Sequence, residues 1–381
     1  MIEPRYLRTL ALSLVAWIGL FVIFTWTIDP YGVSPLRFSL PGINAVKPKR
    51  IDIDRLIKPY EVWRYQPRTV FLGTSRIHQA INPAILDGSR FAPAYNAAIP
   101  GAPMDMNAAH LKQYVGLDRN LRTVIVELFL PNIVAGSIKP ESTVWFEFMG
   151  NTATLFASAS TLWDSVATLA YNALSGRAIS QIEPSGYLYH PNRGAPLTSF
   201  ESFASYIWSS QVHEPDKATF DQSAFDSVRA IIDIARANNL ELIFVVTPSH
   251  IYADYYYDVI GAWDTFEQWL MKLSQRTTVY SFSQPNHWVD EPIGAHMAYW
   301  YDTFHFSLLM GRGMLASLAG MPLSGLPDDF MEHLTPERVA PHIERRRQAV
   351  RRWAETNPSF VTRFEDARRH WLTKVTKSEP N

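Results

Sequence analysis

The first strong pattern along the chain is an uncharged, mostly apolar run from Thr9 to Ile28. About 20 residues at 1.5 Å each span a hydrocarbon core of about 30 Å, so the run predicts one transmembrane helix over 9–28. Beyond it, short β-branched runs alternate with helical periodicity. Thr69 to Gly73, Ala94 to Asn96, Arg122 to Leu130, Leu242 to Val246 and Thr278 to Phe282 read as strands. Asn107 to Val115, Ser223 to Asn238, Phe266 to Leu273 and Leu308 to Ala319 read as helices; Phe225, Val228, Ile231, Ile232 and Ile234 give the second its apolar face. Strands alternating with helices predict an α/β fold, a mostly parallel sheet covered on both faces as a three-layer α/β/α sandwich.

Three stretches break the alternation. Asp29 to Pro67 mixes prolines and charges without clear periodicity and reads as a stalk packed on the domain. Between Gly136 and Asp221 the strands stop, and Thr152 to Leu174 predicts one or two helices of an insertion over about 137–220. A lid over a site, a cap thickening the core and an element leaning on the membrane are all open readings of that insertion. After Pro322, Pro336 to Thr356 has a helical pattern with Arg338, Arg345, Arg346, Arg347, Arg351 and Arg352, interspersed with Glu337, Glu344 and Glu355. Interspersed charge of this kind predicts a solvated, salt-bridged helix; contact with lipid headgroups or a partner subunit is the alternative. The expected division is a cytoplasmic N-terminus over 1–8, the helix over 9–28, an α/β domain over 29–325 and a charged helical extension over 326–381.

Charge orients the anchor. Arg5 and Arg8 precede the apolar run and Asp29 follows it, which places Met1 inside and the rest of the chain outside an inner membrane. Trp26 sits where an interfacial ring belongs. A cleaved signal peptide would have a shorter apolar region and small residues at its cleavage site; here the segment ends Phe-Thr-Trp-Thr-Ile-Asp-Pro, so a retained anchor is expected. A formal net charge of −1 leaves no field that collects nucleic acid. The chain has no cysteine, which removes disulfides, thiol nucleophiles and cysteine zinc sites.

Candidate chemistry lies at the ends of the predicted strands, where open α/β sheets form their sites. Phe71-Leu72-Gly73-Thr74-Ser75-Arg76 puts Ser75 at the mouth of a helix. Ser75 is either a nucleophile beside free helix N–H groups or simply an N-cap. The run is not a Gly-x-Ser-x-Gly elbow. Tyr301-Asp302-Thr303-Phe304-His305-Phe306-Ser307 offers a base, with Asp302 one turn before His305 and able to fix its ring. There too, capping of the next helix by Asp302 or Ser307 is the competing role. Gly101, in Asn96-Ala97-Ala98-Ile99-Pro100-Gly101, has the backbone freedom to aim an N–H into a site, or marks a plain turn. His250 follows the fourth strand, where it either faces the same pocket or, as the favoured reading, is a satisfied structural histidine. His287 and His296 lack metal-motif spacing, and neither a P-loop nor Gly-x-Gly-x-x-Gly is present.

In this order the three pieces resemble the SGNH (GDSL-like) hydrolase superfamily, over roughly Asp29 to Ala319. The chain is most similar to membrane-anchored bacterial SGNH-like proteins, some of which accompany polysaccharide O-acetylation. Asp29-Pro30-Tyr31-Gly32, Arg55 and Lys58, Gly73-Thr74-Ser75-Arg76, Tyr95-Asn96 with Gly101, and Asp302-x-x-His305 followed by Gly311 carry the resemblance. It implies Ser75 as nucleophile, His305 as base, Asp302 as its orienting partner and Gly101 as an oxyanion donor. The chain departs from the family at the third strand, where Val126-Glu127-Leu128-Phe129-Leu130-Pro131-Asn132 replaces a Gly-x-Asn-Asp block. Asn132 is the residue there able to supply an oxyanion amide, at a different offset; Thr74 stands where an aspartate is usual. The resemblance implies an esterase or O-acyltransferase on an envelope polysaccharide, needing no cofactor or metal. The alternative it leaves open is an inactive subunit that binds a glycan or an integral membrane acyltransferase.

Overall fold

The computed structural model describes residues 4–34, 36, 39–130, 155–156, 158–175, 178–190, 207, 222–294 and 297–378. In chain order the elements are α1 (Pro4–Ile28), α2 (Asp54–Tyr65), β1 (Thr69–Leu72), α3 (Ser75–Ala80), β2 (Ala94–Asn96), α4 (Met104–Leu117) and β3 (Thr123–Leu128). There follow α5 (Ala159–Leu174), β4 (Gln181–Ile182), β5 (Leu188–Tyr189), α6 (Gln222–Ala237), β6 (Glu241–Val246), α7 (Ile251–Val259) and α8 (Ala262–Ser274). Last come β7 (Thr278–Ser281), α9 (Leu308–Ala319), β8 (Glu332–His333), α10 (Pro336–Thr356) and α11 (Pro358–Ser378). They form two compact units: Met1–Gln66 with Glu141–Pro184 and Leu188–Arg193, and Pro67–Pro140 with Ser185–Tyr187 and Gly194–Asn381.

In the first unit, α1 is 25 residues long, with a mean hydropathy of 2.1 over its most apolar window. It is long and apolar enough to cross a membrane, and it begins at Pro4, five residues before the predicted start. Asp29 and Gly32 both adopt left-handed backbone, at φ 48° and 78°. Asp29 Oδ1 accepts from the N–H groups of Val33 and Ser34, at 2.8 and 3.0 Å. Asp-Pro-Tyr-Gly is thus the turn that ends α1. A side chain on Gly32 would meet Arg50 Nη1 at 2.5 Å. The stretch read as an aperiodic stalk contains α2. Its inward face mixes charged with apolar side chains: Asp54, Lys58 and Glu61 are buried beside Ile57, Tyr60 and Val62, Lys58 pairs with Asp54 at 3.6 Å, and Arg50 pairs with Glu61. Hydrophobic periodicity cannot register such a face, and Pro59 inside the helix obscures it further.

The second unit holds a six-stranded sheet in the order β2-β1-β3-β6-β7-β8. The first five strands run parallel, and β8 is antiparallel against β7. Every residue of β1 and β3 is buried, as befits central strands of a parallel sheet. Predicted and observed bounds coincide for β2 and α9 and differ by a few residues for the other predicted strands. The short β8 and the tyrosine-rich α7 were not expected, whereas α10 and α11 fall within the expected helical extension. Parallel pairing brings the carboxyl ends of β1, β2, β3 and β6 to one end of the sheet, placing Gly73, Ala97, Phe129 and Thr247 together. Outside the sheet, α4 packs on α6, α3 on α9, and α10 on α7 and α8. The arginine-rich helix α10 is only partly solvated. Arg345 pairs with Glu332 at its surface, but Arg346 is buried, paired with Asp254 and, at 2.6 Å, with Asp290.

Candidate active site

The serine that opens α3 is not its cap. Thr74 fills that role, its Oγ1 accepting from Arg76 N–H at 3.3 Å. Ser75 Oγ is thereby left for another partner, and it lies 2.8 Å from His305 Nε2. On the other side, Ser307 caps α9, accepting from Met310 N–H at 3.4 Å, so capping does not claim Asp302. Asp302 instead faces His305 Nδ1 at 3.0 and 2.8 Å through its two oxygens. Its Oδ1 also accepts from the backbone N–H groups of Phe304 and His305, at 2.8 and 2.7 Å. A carboxylate on Nδ1 requires that nitrogen to carry the proton, which leaves the Nε2 lone pair to accept from the serine hydroxyl. Thr74 and Ser307 therefore do the capping, while Ser75, His305 and Asp302 meet.

A tight hairpin holds the acid and base in place. Tyr301 N–H donates to His305 O at 2.9 Å, Ser307 N–H donates to Tyr299 O at 2.7 Å, and Trp300 bridges Phe306. The side chains of His305 and Asp302 are 13% and 14% exposed, and Ser75 is half-buried.

The frame beneath the site centres on Glu127, a residue the sequence reading passed over. It is buried in β3, and its Oε2 accepts from both Thr74 N–H (2.7 Å) and Thr74 Oγ1 (2.8 Å). Its Oε1 accepts from Thr247 Oγ1 at 3.1 Å and lies 3.7 Å from Arg76 Nη1. Gly73 makes this approach possible, since a Cβ there would lie 2.8 Å from Glu127 Cβ and Oε2. Arg76 then links the two halves of the site. Its Nε donates to Phe304 O at 2.9 Å, another of its nitrogens donates to Pro248 O, and its guanidinium stacks 4.0 Å from the Phe129 ring centroid. The residue after the serine therefore binds the residue before the histidine. Burial pushes the Arg76 guanidinium below its ordinary range, and Glu127 opposes that shift. The available signal was a lone acid inside an otherwise apolar strand.

Gly101 has left-handed backbone at φ 68°, and nothing lies within 4 Å of where its Cβ would be, so conformation rather than space calls for glycine. Its loop is fastened to β1: Ala97 N–H donates to Phe71 O at 2.9 Å, and Ile99 N–H to Gly73 O at 3.0 Å. Asn96 finishes α3, donating to Ile77 O and Ile81 O at 2.8 and 2.7 Å. Asn132 and His296 lie outside the described residues. His250 is structural. Its Nε2–H donates to Glu291 O at 2.8 Å while Nδ1 accepts from Tyr252 N–H at the start of α7, and burial pushes its pKa down to about 3. Among the described residues no group of acids and histidines is arranged to hold a metal ion.

No family model matches this chain, and no curated protein matches it. A solved structure from Streptococcus pneumonia, proposed to be a platelet activating factor, aligns at 10% identity over 81% of this chain and 96% of that one, with a TM-score of 0.33. A likeness that distant carries no argument about fold or function.

Proposed function

We propose that the protein is a membrane-anchored serine esterase or O-acyltransferase of the SGNH type, acting on acyl groups of a cell-envelope glycan. The observation that supports it most is the continuous link from Ser75 Oγ to His305 Nε2 at 2.8 Å and from His305 Nδ1 to Asp302 at 2.8 Å. In this reading Ser75 Oγ attacks the acyl carbon while its proton passes to His305 Nε2. Asp302 stabilises the imidazolium that forms. The tetrahedral oxyanion is met by backbone N–H groups, with Ser75 and Gly101 as the donors assigned here. Collapse expels the alcohol, which takes its proton from His305, and leaves an acyl ester on Ser75. Water or a sugar hydroxyl, deprotonated by His305, then attacks that ester and frees Ser75. Water as acceptor makes an esterase; a sugar makes a transferase.

The same reading assigns the fold to a three-layer sandwich, with α3 and α9 on one side of the sheet and α4 and α6 on the other. It assigns α1 to the inner membrane, with the α/β domain on the outer side, where an envelope glycan and an integral membrane acyltransferase are the expected partners. The Asp-Pro-Tyr-Gly turn that closes α1 supports a helix ending at a folded unit rather than at a cleavage site. The test is a fluorophosphonate probe on the purified full chain in detergent, read by mass spectrometry of the Ser75 peptide. Labelling of Ser75 that is lost in His305→Ala is expected. A folded protein that takes no label and hydrolyses no small acetyl ester, together with full biological function of Ser75→Ala, would overturn the enzymatic reading in favour of a binding subunit.

A further inference from the structure

Helix α5 is patterned the wrong way round for a helix in water. Its most buried side chains are small and polar: Thr161, Ser165 and Thr168 are 1%, 0% and 0% exposed. Four of its large apolar side chains point outward: Leu162, Trp163, Val166 and Leu174 are 39%, 71%, 45% and 85% exposed, while Leu169 and Tyr171 are partly covered. Its strongest polar groups are also turned to partners within its own unit. Asp164 accepts from Tyr31 Oη at 2.7 Å, and Asn172 holds both the N–H and the carbonyl of Val46, at 2.9 and 2.7 Å. The helix has no Lys, Arg or Glu. A surface helix of a water-soluble protein shows the reverse arrangement. Helices in lipid pack through small and hydroxyl side chains and send their large apolar ones outward.

The neighbour of α5 points to the same solvent. It packs on α1. Near the start of α5, Thr25 Oγ1 donates to Phe156 O at 3.1 Å, and the Trp26 and Phe156 rings meet edge to face at 5.9 Å. Residues 4–18 of α1 are exposed throughout, whereas most of 19–28 is at least partly covered. The outward face of α5 thus adjoins the outer turns of the one helix long and apolar enough to cross a membrane among the described residues.

We propose that α5 is a second membrane-contact element, lying in the headgroup–acyl boundary of the bilayer that α1 crosses, with Leu162, Trp163, Val166 and Leu174 in lipid. The inference rests on the reading of α1 as a membrane helix. With 16 residues α5 is roughly 24 Å long, short of the hydrocarbon core, and Asp164 and Asn172 suit the boundary rather than the interior. A tryptophan ring belongs at headgroup level. The occupant is lipid because the outward face carries no charge and adjoins α1.

The chain's lack of cysteine makes the test direct. An environment-sensitive fluorophore is attached to single cysteines in the full chain: Trp163→Cys, Val166→Cys and Leu174→Cys in α5, Val15→Cys in α1, and Glu355→Cys in α10. Each is reconstituted in phosphatidylcholine–phosphatidylglycerol vesicles carrying doxyl groups either shallow or deep in the acyl chains, and is titrated with aqueous iodide. The α5 labels are expected to lose most of their fluorescence to shallow doxyl lipid and little to iodide, with Val15→Cys quenched by deep doxyl and Glu355→Cys by iodide. Iodide quenching of the α5 labels, as at Glu355→Cys, overturns the proposal. Shielding of those labels from both quenchers also overturns it, because protein then covers the face. In either case doxyl quenching at Val15→Cys shows that the anchor itself stands. Iodide quenching at Val15→Cys and at the α5 labels together would remove the anchor and the proposal with it.

Discussion

Asp302 contacts three nitrogens of one turn of chain, two backbone and one in the His305 ring, and its substitution separates orientation from folding. Asp302→Asn keeps an oxygen for the N–H groups of Phe304 and His305, but its amide can turn an N–H toward Nδ1 and select the wrong tautomer. Turnover of a small acetyl ester is expected to fall on the order of ten-thousandfold with thermal stability little changed. His250 gives a pH dependence of the opposite character, in stability rather than rate. Its pKa is lowered from 6.5 to about 3 by burial, so between those values the unfolded chain binds a proton that the folded chain does not. Stability is therefore fully present above about pH 6.5 and is lost as pH falls toward 3, by about 1.4 kcal/mol per unit from this group. Urea titrations across that range should show the slope in the native chain and a shallower one in His250→Asn, which keeps an N-capping side chain. Ser75, Asp302 and His305 were legible because each stood at a strand end or helix start in a recognisable order. Glu127 was not, because its importance lies in a contact with Thr74 across 53 positions that no local pattern records.

Helix α9 is pressed directly onto the end of α3. A Cβ on Gly311 would lie 1.9 Å from Ala80 O, a backbone atom that cannot swing aside. Gly311→Ala is thus expected to push apart the helix that begins with Ser75 and the helix that follows His305. A stability loss of about 1–3 kcal/mol is expected from the overpacking. A fall in turnover in the fraction that stays folded should accompany it, measured by calorimetry and ester hydrolysis on the same sample. The parallel strands were readable because strands buried on both faces are continuous apolar runs. What escaped were elements whose inward face mixes charged or polar groups with apolar ones: α2, which buries Asp54, Lys58 and Glu61 beside Ile57 and Val62, and α7, which buries Asp254 among three tyrosines, an alanine and an isoleucine. The buried Arg346 of α10 escaped for the same reason, since among six arginines nothing in sequence marks the one whose partners, Asp254 and Asp290, come from elsewhere in the chain.

At the scale of the whole chain, the proposed anchoring by α1 is the feature that sets where the rest of the protein would work. Protease added to spheroplasts is expected to digest the chain beyond Asp29 and to leave a small membrane-bound fragment containing α1. A soluble mature protein beginning near Asp29 would show α1 to be a cleaved signal instead. The hydrogen bond between Ser75 and His305 closes a loop of 230 positions, and this has a consequence for the order of events in synthesis. The nucleophile leaves the ribosome first. At about 5–20 residues per second, its base follows about ten to fifty seconds later. Throughout that interval the serine at the start of α3 is already made, but the hairpin with Asp302 and His305 does not yet exist. A nascent chain, or one cut short anywhere before residue 302, therefore holds an unactivated serine with the reactivity of any surface hydroxyl. In the proposed reading, ester turnover therefore waits until the chain has been made past His305, and the long separation delays activity until most of the protein has been synthesised.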